Sequence, residues 1–361
     1  MQKQASFYKA QLELNQVASK RIFKQMSVLS ILRLLVFVGT GFSIYISFNN
    51  SKIAVFIGVI GIVLFLFLLS RYTNLKYLRA LHKRLAIINE DELKIASGDF
   101  HNKPDGSEFQ DPKHFYSLDI DLFGTGSFFQ FINRTSLKEG TEKFTEYLLA
   151  NDISDIETRQ IAIQELSALP IWRQHYSGVA QGVKAENPAN SIIKWLKAYR
   201  PFLSSLHYWC TIAYSLVSVA ILVFGITEVV SVVFTAYRLL LWLIIGLGIT
   251  AVYLKRINNV AQNTEKAKDT FRQYALLLER IENQEFESLL LIDQQQKIKS
   301  EGLKASQIFS KFSNALDALD NRNNLISAIF GNGLLLSDIR QTYHVEQWIR
   351  KYGHKVEDWF E

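Results

Sequence analysis

The sequence predicts a mainly α-helical protein in which a helical domain is combined with two transmembrane helical hairpins. Three observations lead to this fold class. Hydrophobic residues make up 48% of the 361 residues, and the mean hydropathy of +0.06 is high for a protein that is soluble throughout. The apolar residues are concentrated in four long runs. Outside these runs, apolar residues recur at the three- and four-residue spacing of amphipathic helices.

The four apolar runs are each close to the length needed to cross a bilayer, which is about 20 residues. We therefore expect a first hairpin at residues 28–70 and a second at residues 201–256. The alternative for each run is a buried helix of a large soluble domain. The limits of the second pair stay open, because Glu228 and Arg238 flank an apolar stretch between its two runs. The runs are VLSILRLLVFVGTGFSIYISF, IAVFIGVIGIVLFLFLLS, LHYWCTIAYSLVSVAILVFGI and LLLWLIIGLGITAVYL.

Lysine and arginine residues flank both hairpins on the same side, and this bias predicts the orientation. We expect both termini, the N-terminal helix at 1–27 and the segments 71–200 and 257–361 on the cytoplasmic side of an inner or plasma membrane. The net charge of +6 fits anionic lipid headgroups or nucleic acid, and on charge alone lipid is favoured. The flanking cations are Lys3, Lys9, Lys20, Arg21, Lys24, Arg71, Lys76, Arg79, Lys83, Arg84, Lys194, Lys197, Arg200, Lys255 and Arg256.

Between the hairpins, the pattern predicts a helix that continues from the second run, followed by a loop. Residues 71–95 keep a helical rhythm of leucines with cations between them. The stretch SGDFHNKPDGSEFQDPKH is rich in Gly, Pro, Asp and Asn, so it predicts an exposed loop. For residues 118–132 two interpretations stay open, because the alternation LDIDL fits a strand whereas SFFQFI fits the start of a helix.

The later segments are helical by their periodicity. Ser136 and Glu139 have the spacing of a capping box at the start of one helix, and DIETRQIAIQELSAL predicts a second. After the second hairpin, the spacing of Phe271, Tyr274 and Leu278 favours packing of a long helix against another helix. The C-terminal part is again helical, with an expected break at Gly331–Gly333.

The glycine-rich stretch GTGS at residues 124–127 does not match a nucleotide-binding loop. A Walker A motif requires a second glycine, a lysine and a hydroxyl residue at fixed spacing. The sequence has Phe129, Gln130 and Phe131 at those three positions. No other glycine is followed by Lys and then Ser or Thr, so the sequence contains no Walker A motif.

Other catalytic and metal-binding patterns are also missing from the sequence. Asp119 and Asp121 lack an evident third ligand for a divalent cation, and turn or capping roles are favoured for them. The seven histidines show no ligand spacing, and Cys210 is the only cysteine. We therefore expect no catalytic residue, no metal site, no cofactor and no enzymatic activity in this chain.

A continuous stretch of about 50 residues resembles the core domain of the MutS family of DNA mismatch-repair ATPases. It comprises SLDIDLFGTGSFFQFINRT, a later glycine, a Tyr-Leu pair and DISDIETRQIAIQEL. The order and the spacing of these segments agree together with the pattern of the family. The matching residues are Leu122, Phe123, Gly124, Ser127, Phe128, Phe129, Asn133, Arg134, Thr135, Gly140, Tyr147, Leu148, Ile156, Arg159 and Gln160.

The resemblance implies a MutS-like helical core, with its first half in 71–200 and its second half in 257–361. It implies that Gly124 and Gly126 are turn glycines rather than phosphate ligands, and that Arg134 and Arg159 are buried or half-buried structural cations. Together with the two apolar hairpins, it implies a membrane-anchored, DNA-associated protein whose ATPase is an attached domain or a separate chain. ATP and Mg²⁺ are expected only with that ATPase, and the expected partners are the bilayer, DNA and a second copy of the chain.

The chain also departs from the family pattern. Leu137–Lys138 stands where the family usually has Thr-Pro, and Glu142 stands where a cation is expected. The mismatch-reading domain of the family has no counterpart in the sequence. The alternative function is therefore a membrane scaffold that uses the MutS-like helices for oligomerisation without DNA. A transporter is less favoured, because only Arg33 is a charged residue firmly placed within a span.

Overall fold

In the computed structural model the described residues are helical apart from turns, loops and one pair of two-residue strands. The structure describes residues 2–48, 51–150, 154–183, 189–226, 232–300, 303–320, 322, 325–356 and 359. The α-helices are α1 (Gln2–Ile46), α2 (Ser51–Ala96), α3 (Phe128–Ile132), α4 (Lys138–Leu149), α5 (Ile156–Ser167), α6 (Pro170–Ala180), α7 (Ala189–Ala198), α8 (Ser205–Ile226), α9 (Val232–Glu282), α10 (Leu289–Ile298), α11 (Ala305–Asp320), α12 (Leu325–Leu335) and α13 (Ser337–Tyr352). A 3₁₀ helix covers Ser107–Phe109, and β1 (Lys299–Ser300) pairs with β2 (Leu303–Lys304) in antiparallel fashion.

The chain forms two compact units. The first unit consists of Met1–Asp152 and Leu169–Gly182, and the second consists of Ile153–Ala168 and Val183–Glu361. The mainly α-helical fold predicted from the sequence is confirmed. The division of the chain into membrane and cytoplasmic segments depends on the side of the membrane and stays a prediction.

Four helices, α1, α2, α8 and α9, are long and apolar enough to cross a membrane. They contain the four apolar runs, so the prediction of helices long and apolar enough to span a membrane is confirmed for the described residues, whereas their crossing as two hairpins stays a prediction. The first, second and fourth runs are continuous with a polar helical segment in α1, α2 and α9, whereas the third run fills α8. Arg33 lies on α1 and places its guanidinium 4.5 Å from the centre of the Tyr72 ring of α2. Glu228 lies outside the described residues, whereas Arg238 is exposed on α9.

The first unit is built on the pairing of α1 with α2. Ile22, Met26, Leu81 and Leu85 are buried along the polar halves of these helices. α6 packs on α2, where Gly178 approaches so closely that an added Cβ would lie 3.1 Å from a methyl carbon of Leu85. The helix predicted to continue from the second apolar run is therefore present and ends at Ala96.

A second core of the first unit is small and aromatic. It consists of the buried side chains of Leu122, Phe123 and Phe129, with Phe144 and Leu148 of α4 packed against them. Residues 118–121 are turns in which Leu118 and Ile120 are exposed, so the strand interpretation of this segment is wrong. The helical interpretation of SFFQFI is confirmed by α3. The short helix forms here because Ser127 caps it, whereas LDIDL has no neighbouring strand to pair with among the described residues.

The second unit has a larger core around the polar half of α9. Phe271 and Phe312 are fully buried, and the Trp348 ring stacks on Phe312 with centroids 3.8 Å apart. Tyr274 and Leu278 of α9 are also buried in this core. The prediction that this helix packs against another helix is confirmed, since α11 lies along it.

Two local predictions are wrong. The capping box at Ser136 and Glu139 is not formed, because α4 begins one residue later with Leu137 as N-cap and no side-chain cap. The Thr141 hydroxyl lies 3.0 Å from the carbonyl of Leu137, so this first turn is held from within the helix. The expected break at Gly331–Gly333 is also absent, because α12 continues through it and ends at Leu335, just before Leu336, which has φ 48°.

Candidate functional site

The turn Gly124–Ser127 is organised by internal hydrogen bonds. Gly124 and Gly126 have φ of 105° and 80°, which glycine adopts without strain. The Gly124 amide donates to the Asp105 carbonyl (2.8 Å), and the Gly126 amide donates to Oε1 of Gln130 (2.7 Å). The Ser127 hydroxyl caps α3 by accepting the Gln130 amide at 3.1 Å.

The next amides of this segment are used in the same way. The amide of Phe128 donates to the carbonyl of Asp121, and that of Phe129 donates to the carbonyl of Leu122. A phosphate-binding loop requires backbone N–H groups that point at the ligand without internal partners. The geometry therefore favours the role of turn glycines that the resemblance implies.

Phe123 and Phe129 anchor the turn in the aromatic core. Gly106, which lies outside the motif, leaves the space that both rings occupy. Gly106 has φ 70°, and an added Cβ would lie 2.7 Å from a ring carbon of Phe129 and 2.9 Å from one of Phe123. Phe128, in contrast, is 52% exposed. The segment SGDFHNKPDGSEFQDPKH is therefore largely the exposed loop that was predicted, but its Gly106 is buried against the aromatic core.

Arg134 connects the motif to α2. The expectation that it is buried or half-buried is wrong, because its side chain stays exposed while it pairs with α2, whereas Arg159 is half-buried as expected. Its Nε lies 2.6 Å from Oε1 of Glu92 and its Nη2 lies 3.2 Å from Oε2, so the ion pair is bidentate. Its Nη1 donates to the carbonyl of Phe131, in the last turn of α3, and to that of Asn133, the C-cap of this helix. The guanidinium thus satisfies carbonyl groups that the short helix leaves without partners.

Asn133 and Thr135 hold the chain between α3 and α4. Oδ1 of Asn133 accepts a hydrogen bond from the amide of Thr135 at 2.9 Å. The same oxygen accepts one from the Thr135 hydroxyl at 2.7 Å. The Thr135 hydroxyl also lies 2.7 Å from that of Thr141 on α4. The Asn-Arg-Thr part of the motif is therefore a connector between the two helices.

A polar cavity of about 240 Å³ lies beside this connector. Two of its acidic groups are engaged in ion pairs, Glu92 with Arg134 and Asp91 with Lys103. The cavity can accommodate a small polar group, but its charges largely compensate one another. Its polar lining residues include Tyr8, Asp91, Glu92, Lys103, Asn133, Arg134, Thr135, Ser136, Arg173 and Gln174.

The remaining motif residues of the first unit lie on α4. Leu148 packs on the aromatic core, whereas Tyr147 is 55% exposed. The carbonyl of Leu148 accepts the Tyr116 hydroxyl at 2.5 Å, which fastens the end of the helix. Gly140 is exposed, and the nearest atom to an added Cβ would be 3.9 Å away on Thr135, so no close contact requires glycine there.

Arg159 and Gln160 belong to the second unit, so the motif is divided between the two units. Arg159 donates through Nη2 to the carbonyl of Ser154, just before α5, and Gln160 is exposed. α5 is fastened to α10 by Glu165, whose carboxylate accepts the amides of Glu287 and Ser288, both at 2.8 Å. Ile156, the other motif residue on α5, is 41% exposed.

Sequence reasoning missed Glu92, Gly106 and Gln130. Gln130 is buried and donates through Nε2 to the carbonyls of His101 and Lys103, which fixes the loop on α3. The pattern of one chain does not reveal such long-range partners. The sequence PDG at Gly106 did signal a turn, but not the packing of that turn against Phe129.

Among the described residues, no group of three or more His, Cys, Asp or Glu side chains is placed to hold a metal ion. Asp119 and Asp121 are exposed in a turn, and Asp121 has φ 48°. Cys210 is exposed on α8. The described residues thus form a helical protein with four long apolar helices. The connector between α3 and α4 is fastened by Arg134 to one of them, α2. No protein-family model, no curated protein and no solved structure matches the chain.

Proposed function

We propose that the chain is a membrane-anchored relative of the MutS family that associates with DNA at the cytoplasmic face of an inner or plasma membrane. The observation that carries this proposal is the bidentate ion pair of Arg134 with Glu92. It fastens the connector of the MutS-like motif to α2, the helix that also contains an apolar run long enough to cross a membrane. The connector and α2 are thus parts of one compact unit.

The distribution of polar and apolar side chains on α8 and α9 supports the membrane placement. On α8 the buried side chains include Thr211, Tyr214 and Ser218, all of which carry a hydroxyl group. A helix in lipid has this arrangement, because its polar side chains face the protein interior and its apolar side chains face the hydrocarbon. Large apolar side chains are exposed along the apolar runs of these helices, and they include Leu216, Val219, Leu222, Phe224, Leu240, Leu241, Ile244 and Ile249.

A basic groove between α1 and α2 supports the proposed orientation. Lys20, Lys24, Arg79 and Lys83 line it, with Glu90 as an acidic residue at its edge. Lys24 lies four residues before the hairpin at 28–70, which is about 6 Å along a helix. Cations at this distance from the hydrocarbon layer meet anionic lipid headgroups, as expected on the cytoplasmic side.

The DNA association rests on the resemblance to MutS, with an ATPase supplied by an attached domain or a separate chain. It is tested with the chain in lipid nanodiscs, titrated into a fluorescent DNA duplex at increasing salt. Binding through lysine and arginine must weaken as salt rises, by a factor of a thousand or more between about 50 and 200 mM for six or more phosphate contacts. Absence of salt-dependent affinity would exclude the DNA part of the proposal.

A membrane scaffold is the second candidate, and one observation favours it. Ile156, Ile161 and Ile163 of α5 are all exposed, at 41%, 58% and 65%. Exposed isoleucines on one short helix are suited to contact another chain, for example a second copy in a dimer. This candidate predicts self-association that does not depend on DNA, which sedimentation of the detergent-solubilised chain measures. A strictly monomeric chain would exclude it.

A further inference from the structure

Helix α12 is short, apolar and seated on the apolar runs of α8 and α9. Its sequence LISAIFGNGLL contains no charged residue. It contacts both α8 and α9, and the residues it touches lie within the two candidate membrane spans Ser205–Gly225 and Phe234–Thr264. Eleven residues of α-helix are about 16 Å long, so α12 is too short to cross a hydrocarbon layer of about 30 Å.

The C-terminal carbonyls of α12 receive donors from its neighbours. The last four carbonyls of a helix lack partners in the usual helical pattern. Here the Asn332 carbonyl accepts the amide of Leu336 (3.3 Å), and the next three face hydroxyl groups of α8. The Tyr214 hydroxyl lies 3.0 Å from the Gly333 carbonyl, Ser218 Oγ lies 2.5 Å from that of Leu334, and Ser215 Oγ lies 3.3 Å from that of Leu335.

Each of these hydroxyl groups also lies near a backbone carbonyl of α8 or α9. The carbonyls of α8 and α9 lie inside their helices, where each already accepts a backbone amide. The last three carbonyls of α12 have no such amide among the described residues, so they are the acceptors that need the hydroxyl groups. In water the end of α12 would be satisfied by solvent without any side chain. In hydrocarbon each unsatisfied carbonyl costs several kcal/mol. A set of side-chain donors that meets these carbonyls is therefore what a helix end inside the bilayer requires.

Glycines allow α12 to approach α9 at backbone distance. A Cβ added at Gly246 would lie 2.4 Å from the carbonyl oxygen of Gly333 and 2.7 Å from the Tyr214 hydroxyl. A Cβ added at Gly333 would lie 2.5 Å from a side-chain carbon of Leu243. Small residues at the contact are typical of helix packing in membranes. Two residues further along, Gly248 has no atom within 4 Å of an added Cβ.

The depth of this contact follows from helix geometry. Gly246 lies nine and ten residues before Lys255 and Arg256, the two cations that follow the fourth run, and ten residues of helix rise about 15 Å. This is about half of the hydrocarbon thickness. The outer face of α12 is apolar where the side chains are described, with Phe330 54% exposed.

The chain returns after α12. Leu336 interrupts the helix, and the Asn332 side chain accepts the amide of Asp338 at 2.9 Å in the first turn of α13. Farther along α13, Tyr343 stacks on Tyr208 near the start of α8. Glu346 then binds the amides of Phe202 and Leu203, which precede α8. α13 therefore leads from the middle of the spans back to their polar end.

We propose that α12 is a re-entrant membrane helix, which enters the bilayer beside α8 and α9, reaches about its middle and returns through α13 without crossing. Its partner is the hydrocarbon of the lipid. This inference rests on the membrane placement of α8 and α9 in the proposed function. It adds a fifth segment in contact with lipid to the four helices that are long enough to cross.

The test uses spin labels on the full chain in phosphatidylcholine–phosphatidylglycerol vesicles, in a Cys210→Ala background. Single cysteines replace Phe330 on α12, Val219 in the middle of α8 and Lys351 on α13, all of which are exposed. Collision rates with oxygen and with a water-soluble nickel complex report the depth of each label. We expect the label at 330 to resemble that at 219, with oxygen accessibility exceeding nickel accessibility several-fold.

The outcomes separate the two proposals. A label at 330 that resembles the one at 351, while 219 is in lipid, overturns the re-entrant helix and leaves the membrane placement of α8 intact. A label at 219 in water overturns the membrane placement itself, and the re-entrant helix with it. A matched pair then tests the seating of α12. Gly246→Ala should increase the mobility of the label at 330, whereas Gly248→Ala should leave it unchanged, and equal effects would contradict the contact with α9.

Discussion

Arg134 and Glu92 form a bidentate ion pair across 42 positions of the chain, between the motif connector and helix α2. The side chains retain 39% and 20% of their accessible surface, so the pair is partly screened by solvent. The bidentate geometry of Arg is specific, and a lysine reproduces the charge but not the two parallel hydrogen bonds. The motif is thereby fixed to the helix that carries the second apolar run.

The first prediction concerns this pair. Arg134→Lys and Glu92→Gln should each destabilise the chain in detergent by about 1 kcal/mol, because each removes part of a partly exposed ion pair. In a double-mutant cycle the coupling energy should be of similar size, because both changes break one interaction. Thermal unfolding followed by circular dichroism measures it. Strict additivity of the two changes would show that the ion pair contributes nothing to stability.

The second prediction compares two glycines. Gly106→Ala should destabilise the chain by about 2 kcal/mol or more, because it combines φ 70° with contacts of 2.7–2.9 Å to two aromatic rings. Gly140→Ala is the control, since Gly140 lies within α4 and has space for a methyl group. Its replacement should stabilise by up to about 1 kcal/mol. Equal melting temperatures of the two variants would contradict the packing described for Gly106.

The third prediction concerns Glu346, which is fully buried in the second unit. Its carboxylate accepts the Phe202 amide (2.8 Å), the Leu203 amide (2.9 Å) and the Tyr199 hydroxyl (2.7 Å). Glu346→Gln keeps the shape but replaces one acceptor oxygen by a donor, so it should cost about 2–3 kcal/mol. Tyr199→Phe removes one of the three bonds and should cost about 1 kcal/mol. A smaller loss for Glu346→Gln than for Tyr199→Phe would contradict this arrangement.

The fourth prediction is a pH dependence. Burial of Tyr199, together with its hydrogen bond to Glu346, raises the pKa of the Tyr199 hydroxyl well above its usual value. A raised folded-state pKa contributes stability that is complete below the unfolded-state value of about 10 and is lost as the pH rises above it. The melting temperature of the wild type should therefore approach that of Tyr199→Phe between about pH 8 and pH 11. A difference that stays constant over this range would refute the shift.

The sequence was sufficient to predict the helical fold and the four apolar helices, because apolar runs and helical periodicity are local signals. The turn at Gly124 and the helix start at Ser127 were also predicted from the motif. The strand interpretation around Leu118 was wrong, because alternation over so few residues does not establish a strand without a partner.

Long-range contacts explain most of the differences between the predictions from the sequence and the structure. Nothing in the local pattern indicates that Arg134 meets Glu92, or that Gly106 receives the rings of Phe123 and Phe129. The glycines at 331 and 333 suggested a break in the helix by their composition. One of them instead serves close packing against Gly246, a contact that only the fold brings about. The capping box failed because the first turn of α4 uses Thr141 and Thr135.

The central claim is that the MutS-like motif lies on the cytoplasmic side, on a helix pair that crosses the membrane. The most direct measurement is labelling with a membrane-impermeant maleimide in sealed vesicles of both orientations. In a Cys210→Ala background, one cysteine replaces Glu142 on α4 and another replaces Phe48 beyond the end of α1, both exposed positions. The account predicts that position 142 reacts only from the cytoplasmic side and position 48 only from the opposite side. Reaction of both positions from the same side would contradict it.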